Sequence, residues 1–134
     1  MVEKVKCYIN DNDRLARYLG IEITEIGPGT ATARMTMAEE HTNSLGMAHG
    51  GTLFALADLA FAAACNSHGN LALGVQASIH YHRPVSSGVL TAVARELSQG
   101  GRMASYLVEV HDESDSLVAS FQGLAYRKKE SIPC

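Results

Sequence analysis

Apolar and polar residues alternate along Ile21-Glu22-Ile23-Thr24-Glu25-Ile26. Gly27-Pro28-Gly29 then interrupts the chain, and alternation resumes from Thr30 to Met37. This period of two, broken by turn residues, predicts two strands joined as a hairpin. Just upstream, Asp13 is placed to cap a short helix carrying Leu15, Tyr18 and Leu19, with Gly20 as its stop. From Gly51 to about Asn66 the pattern changes: the stretch is rich in Ala and Leu and apolar nearly all round, with Thr52 and Asp58 as the polar interruptions. That composition predicts a buried helix. Strand-like runs follow at roughly Leu73 to Arg83, Val89 to Ser98, Met103 to His111 and Leu117 to Arg127. They are separated by Pro84 to Gly88, by Gln99-Gly100-Gly101-Arg102 and by Asp112 to Ser116, which carry turn chemistry.

A helix apolar on every face, with strands on both sides of it in sequence, needs a sheet curved enough to enclose it. The expected architecture is α+β: about six antiparallel strands wrapped around one long central helix, in a single domain over residues 1–134. Small side chains at Ala55, Ala57, Ala60, Ala62, Ala63 and Ala64 let strands approach that helix closely.

Composition narrows the function classes. At 134 residues, 46% hydrophobic and 19% charged, the chain can bury a core without metal or disulfides. No stretch is long and apolar enough for a bilayer-spanning helix, and Met1-Val2-Glu3-Lys4-Val5-Lys6 lacks the apolar core of a secretory signal. Cys7, Cys65 and Cys134 are odd in number and scattered, which fits a reducing cytoplasm better than a disulfide framework. A net charge of −3 offers no positive field for nucleic acid. The expectation is a cytoplasmic protein with neither nucleic-acid nor membrane partners.

The chemistry concentrates between His41 and Asp58. His41-Thr42-Asn43-Ser44-Leu45-Gly46-Met47-Ala48-His49-Gly50-Gly51 is a polar, glycine-rich loop that runs straight into the buried helix. Such a junction presents unpaired N–H groups and the positive end of a helix dipole, a setting for an oxygen that gains negative charge. Two turns further on, Asp58 puts a carboxylate into an apolar helix at a cost of several kcal/mol unless something compensates. A plain reading pairs it with Arg83 or a hydroxyl, or turns it to water at a subunit edge.

The ordered run Asn43-x-x-Gly46-x-x-His49-Gly50-Gly51, with Asp58 beyond it, resembles the hotdog-fold thioesterases of the phenylacetate-degradation type. The likeness extends over nearly the whole chain. Val75 to Pro84 is similar to the family's strand ending in Arg-Pro, Gly100-Gly101-Arg102 with Val108 to Glu113 to its late hairpin, and Leu117 to Gly123 to its final strand. The resemblance implies hydrolysis of an acyl- or aryl-coenzyme A thioester, with Asp58 as general base or nucleophile. It also implies an oxyanion hole from the backbone N–H of Gly50 or Gly51, with Asn43 and His49 positioning the water or carbonyl and bracing the loop. In the family the loop and the carboxylate usually come from two subunits, so a homodimer, or a homotetramer built as a dimer of dimers, is implied. Coenzyme A is part of the substrate, and no separate cofactor is expected. Many relatives carry Ser or Thr about ten residues before the Pro, where this chain has Gly74. By alternation Gln76 and Ser78 share that face and are the expected replacements.

Other groups carry weaker readings. His80-x-His82 has metal-ligand spacing, but no further ligand accompanies it, so no metal is expected. Cys65 with His68 could make a nucleophile and base, although a Cys at the end of an apolar helix is commonly a core residue. Arg83, Arg102, Arg127, Lys128 and Lys129 lie at strand ends or turns where phosphates of coenzyme A can meet them, with Arg83 and Arg102 the preferred pair. A hotdog hydratase or dehydratase acting on an enoyl thioester is the alternative enzyme. A non-catalytic acyl-coenzyme A binding module is the alternative of a different class.

Overall fold

Helix α3, Gly50–Asn66, is the axis of the fold, as the computed structural model of residues 1–134 shows. The other elements in chain order are α1 (Val2–Asn12), α2 (Arg14–Leu19), β1 (Glu22–Gly27), β2 (Thr30–Thr36), a single 3-10 turn (Glu39–His41), then after α3 β3 (Asn70–Tyr81), β4 (Val89–Gln99), β5 (Met103–His111) and β6 (Leu117–Ser131). The strands form one antiparallel sheet in the order β1-β2-β4-β5-β6-β3. Helix α3 connects β2 to β3, carrying the chain from near one sheet edge to the other, and the sheet curves around it. No helix is long and apolar enough to cross a membrane.

The core is built from the inward rows of the sheet pressed onto α3. Ala94 pairs with Val108, Val108 with Phe121 and Phe121 with Ile79, and the first three of these are buried. Phe61 anchors the layer: its ring meets Tyr106 edge-on at 5.6 Å and tilts against Phe121 at 5.7 Å, while Phe54 meets Phe121 edge-on at 5.3 Å. The ring lies so close to the sheet that a Cβ at Gly123 would stand 2.7 Å from it, and one at Gly74 2.9 Å. Both glycines are therefore required by contact with Phe61, and Gly74 is no vacancy for a hydroxyl.

The sequence pattern omits α1, in which only Val5 and Ile9 are buried and Tyr8 packs half-buried against the core. This helix covers the outer edge of β1. The Asn10 amide donates to the Ile23 carbonyl at 3.0 Å and accepts from the Ile23 N–H at 2.8 Å, satisfying backbone groups that an edge strand leaves open. The opposite edge, β3, has no such cover, and Leu73, Val75 and Tyr81 on it are all more than half exposed. Helix α2 follows the expected grammar: Asp13 Oδ1 accepts from Ala16 N–H at 3.0 Å, and Gly20 ends the helix at φ +75°.

Candidate active site

The loop before α3 is held by its own polar groups. His41 is buried at 3% exposure; its Nδ1 accepts from the Ala38 N–H at 2.9 Å, so the proton resides on Nε2, which donates to the Leu19 carbonyl at 2.6 Å. The His41 carbonyl accepts from the His49 N–H at 2.8 Å and from Thr52 Oγ1 at 3.1 Å. Two ends of the loop are thus fastened to one residue. Between them, Asn43 Oδ1 accepts from the Leu45 and Met47 N–H groups at 2.9 and 3.2 Å, and Gly46 adopts φ +75° at the bend. Asn43 organises the loop and makes no contact with Asp58 of the same chain.

His49 is the N-cap of α3, and its Nδ1 accepts from the Gly51 N–H at 2.9 Å. That bond has two consequences: the Gly51 N–H is already engaged, and the outward Nε2 of the neutral ring carries a proton. The Gly50 N–H, the first of the helix, has no partner in the chain and lies at the positive end of the dipole. Tyr81, at the end of β3, fixes this residue from behind by donating its hydroxyl to the Gly50 carbonyl at 3.1 Å. A Cβ at Gly50 would stand 3.0 Å from the same hydroxyl, so a side chain here must displace the far end of Tyr81.

Asp58 sits on the one stripe of α3 that the sheet leaves uncovered. Gly51, Phe54, Ala55, Asp58 and Ala62 are exposed or half-buried, while the positions around them are buried. The carboxylate forms no ion pair, which excludes the plain reading of a partner at Arg83. Two hollows meet at it. A small one of about 70 Å³ also involves Asp13, Leu15 and Ile21, and a larger one of about 400 Å³ involves Tyr8, Phe61, Leu71, Gly74 and Ile132. Burial among apolar groups, and secondarily the negative charge of Asp13, raises the Asp58 carboxyl above its ordinary 3.8. The Asp58 side chain itself is open to solvent in the single subunit, so the direction of the shift follows its wider surroundings while water screening limits its energetic weight.

Asp58 and Gly50 do not meet within one chain. Eight residues of helix separate them, or about 12 Å at 1.5 Å per residue. Each half of the constellation is formed, and each adjoins β3: Tyr81 at its end lies against Gly50, and Leu71 to Gly74 near its start line the Asp58 hollow.

The remaining candidates are dispersed. Gln76 and Ser78 do not share a face with Gly74, because the sheet register shifts between Gly74 and Gln76. Gly74 pairs with buried Ala125, whereas Gln76 pairs with Leu124, so the bulge at Val75 turns Gln76 and Ser78 to the outer side, away from Phe61 and the Asp58 hollow. Arg83 follows β3 beside Val118, while Arg102 lies beside Arg127, to whose carbonyl it donates at 3.2 Å. Those anchor points are nine residues apart along β6, roughly 30 Å, so the two arginines of one chain cannot hold the same phosphate group. Arg102 instead shares a hollow of about 400 Å³ with Tyr126, Lys128 and Lys129.

Cys65 and His68 do not form a pair. Burial, followed by the charge of Asp58, pushes the Cys65 thiol up to about 12, against thiolate formation, and His68 Nε2 meets Glu96 Oε2 at 2.9 Å. Glu96 also accepts from the Tyr106 hydroxyl at 2.7 Å. The rings of His80 and His82 stack at 6.2 Å, and His82 Nε2 is hydrogen-bonded to Ser120 Oγ at 2.7 Å. Sequence reasoning missed His41 as the fastener of the loop, Tyr81 behind Gly50, and the placement of Asp13 and Tyr8 beside Asp58. Only His41 had a visible signal, as the first residue of the polar window.

Known proteins are similar to this chain in sequence and fold. A family model described as the thioesterase superfamily matches residues 45–119. A relative from Archaeoglobus fulgidus is 43% identical over 134 residues, covering 99% of this chain and 87% of its own. The acyl-coenzyme A thioesterase PaaI of Escherichia coli is 39% identical over 118 residues, covering 87% of this chain and 84% of its own. The solved structure of the E. coli PaaI protein from the phenylacetic acid degradation operon superposes with a TM-score of 0.94 at 35% identity, over 98% of this chain and 96% of that one.

Proposed function

The chain belongs to the thioesterase superfamily, with its hotdog fold, and is a thioester hydrolase; from that premise we propose that it cleaves an acyl-coenzyme A thioester at a site shared by two copies, with Asp58 of one facing the Gly50 end of the other. The observation that carries this reading is the separation within one chain. A carboxylate without a partner and a helix N-terminus with a free N–H are both formed, yet lie about 12 Å apart on the same helix. A second copy related by a two-fold axis at the β3 edge brings the start of one β3 beside the end of the other. Asp58 borders the first of these and Gly50 the second. The uncovered β3 edge and the small-residue stripe of Gly51, Ala55 and Ala62 on α3 both favour such a partner.

In this arrangement Asp58 acts as general base. Its raised carboxyl is a stronger proton acceptor than an ordinary aspartate, and the small hollow it shares with Asp13 has room for water. The water loses a proton to Asp58 as its oxygen attacks the thioester carbonyl carbon. Negative charge then develops on the carbonyl oxygen, where the partner copy's Gly50 N–H and His49 Nε2–H can both donate. One such donor is worth roughly 3–4 kcal/mol of barrier. Collapse breaks the carbon–sulfur bond, and the coenzyme A thiolate takes the proton back, leaving a free acid and a thiol. The hollow of Arg102, Lys128 and Lys129 borders the outer side of the same β3–β6 region, because Tyr126 in it pairs with Leu73, and its cations suit the phosphates of the leaving group.

The test is thiol release across a panel of acyl- and aryl-coenzyme A compounds, with Asp58→Asn beside the wild type. The expected outcome is turnover by the wild type and a loss of at least about 100-fold in kcat for the variant with substrate binding retained. Binding without thiol release from any compound favours a sensor, and hydration of an enoyl thioester in its place favours a hydratase.

A further inference from the structure

The larger hollow beside Asp58 is closed by parts of the chain outside the stretch that the family model matches. Phe61, Leu71 and Gly74 fall within residues 45–119, but Tyr8 comes from α1 and Ile132 from the C-terminal end. Both ends are fastened. Val5 is fully buried and Asn10 grips both backbone groups of Ile23, so α1 is held to the sheet at the turns flanking Tyr8. Ile132 is buried, and its N–H donates to the Gly69 carbonyl at 2.9 Å. The wall they form is therefore ordered, apolar and immediately next to the carboxylate.

A hollow of about 400 Å³ lies within the 300–1,000 Å³ range of small-molecule sites. Its lining is mainly apolar and includes two aromatic rings, with Asp58 its one charged group. A thioester held with its carbonyl at Asp58 has two arms. The coenzyme A arm carries phosphates and has no counterion among the residues lining this hollow, whereas an acyl arm is apolar and matches it. We propose that Tyr8 is a specificity-determining residue, its ring forming the wall against which the acyl group packs, so that the N-terminal helix sets which acyl groups the enzyme accepts. This rests on the thioesterase reading above. A compact acyl group, a ring or a chain of similar bulk, fills the space between Tyr8 and Phe61, and a long chain has to displace Tyr8.

The experiment measures kcat/KM for straight-chain acyl-coenzyme A substrates from acetyl to palmitoyl, with benzoyl and phenylacetyl, on wild type, Tyr8→Ala and Tyr8→Trp. Removing the ring is expected to move the optimum to bulkier acyl groups. The ratio of kcat/KM between long and compact substrates should rise about 10-fold, the scale on which one or two methylenes of pocket contact discriminate. Acetyl-coenzyme A, which presents the least acyl surface to the wall, should change least, with the effect on longer substrates appearing in KM more than in kcat. Tyr8→Trp should shift the profile the opposite way, a result that loss of folding cannot imitate. Parallel changes for every acyl group in both variants would overturn the proposal, as would a changed oligomeric state with an unchanged profile. A wild type that releases thiol from none of the substrates overturns the underlying thioesterase reading instead, which separates the two failures.

Discussion

Gly123→Ala tests the packing that seats the catalytic helix. An added Cβ would lie 2.7 Å from two carbons of the Phe61 ring and 2.9 Å from a third. Carbon atoms rest at about 3.5–4.0 Å, so ring or strand must retreat by nearly an ångström. The ring has little room to do so, since Tyr106 and Phe121 border it at 5.6 and 5.7 Å and the Gly74 backbone lies close by. Overpacking of this kind costs about 1–3 kcal/mol, and a pinned aromatic belongs in the middle of that range or above it. With an unfolding entropy of about 2.1 cal/mol/K per residue over 134 residues, about 2 kcal/mol lowers Tm by about 7 °C. Calorimetry of Gly123→Ala, Phe61→Leu and the double variant measures it. The double variant should be more stable than the sum of the single losses predicts, because the smaller leucine side chain makes room for the methyl group. Because Phe61 also borders the Asp58 hollow, Gly123→Ala should lower kcat/KM as well. An unchanged Tm, or strictly additive losses, would refute the claim that Phe61 dictates glycine at this position.

Two further outcomes follow from the charge at Asp58. Asp13→Asn keeps the cap of α2, since asparagine caps as well as aspartate, but removes the charge that helps raise Asp58. The acid limb of the kcat/KM profile should move to lower pH while remaining above the ordinary aspartate value of 3.8, because burial, the larger cause, persists. A limb that stays in place removes Asp13 from the account. Asp58→Asn should raise Tm near neutral pH even as activity is lost. A carboxyl raised in the folded state is charged more readily in the unfolded chain, so its ionisation costs stability above the folded value, and the cost shrinks as pH falls through that value and is gone below the ordinary 3.8 of the unfolded chain. Melting curves across pH should show the gain shrinking in acid, and a gain independent of pH contradicts the sign.

The parts of the fold that were legible were those with one dominant signal. The apolar run from Gly51 to Asn66 read as a buried helix, and Gln99 to Arg102 was a strong hairpin signal. A helix such as α1, which buries only Val5 and Ile9 and otherwise faces water, leaves too thin a pattern to read. The bulge at Val75 is harder still, because nothing in Gly74-Val75-Gln76 announces the extra residue, and one slipped position reverses every face beyond it. The loop and Asp58 were legible because polar residues stand out beside an apolar helix. Tyr81 and Tyr8 were not, since each reaches Gly50 or the Asp58 hollow only after the chain has folded back on itself.

The central claim, a site completed by two copies, is tested most directly by complementation. Asp58→Asn removes the base from one copy. Gly50→Pro removes the N–H from the other at the first helical position, where proline is tolerated, at the expense of moving the far end of the Tyr81 side chain. Each variant alone should be inactive. If the two are unfolded and refolded together, half of the dimers are mixed and one of the two sites in each is intact, so thiol release should return to about a quarter of the wild-type rate. A mixture no more active than its components would contradict the shared site and place the whole of the chemistry within one chain.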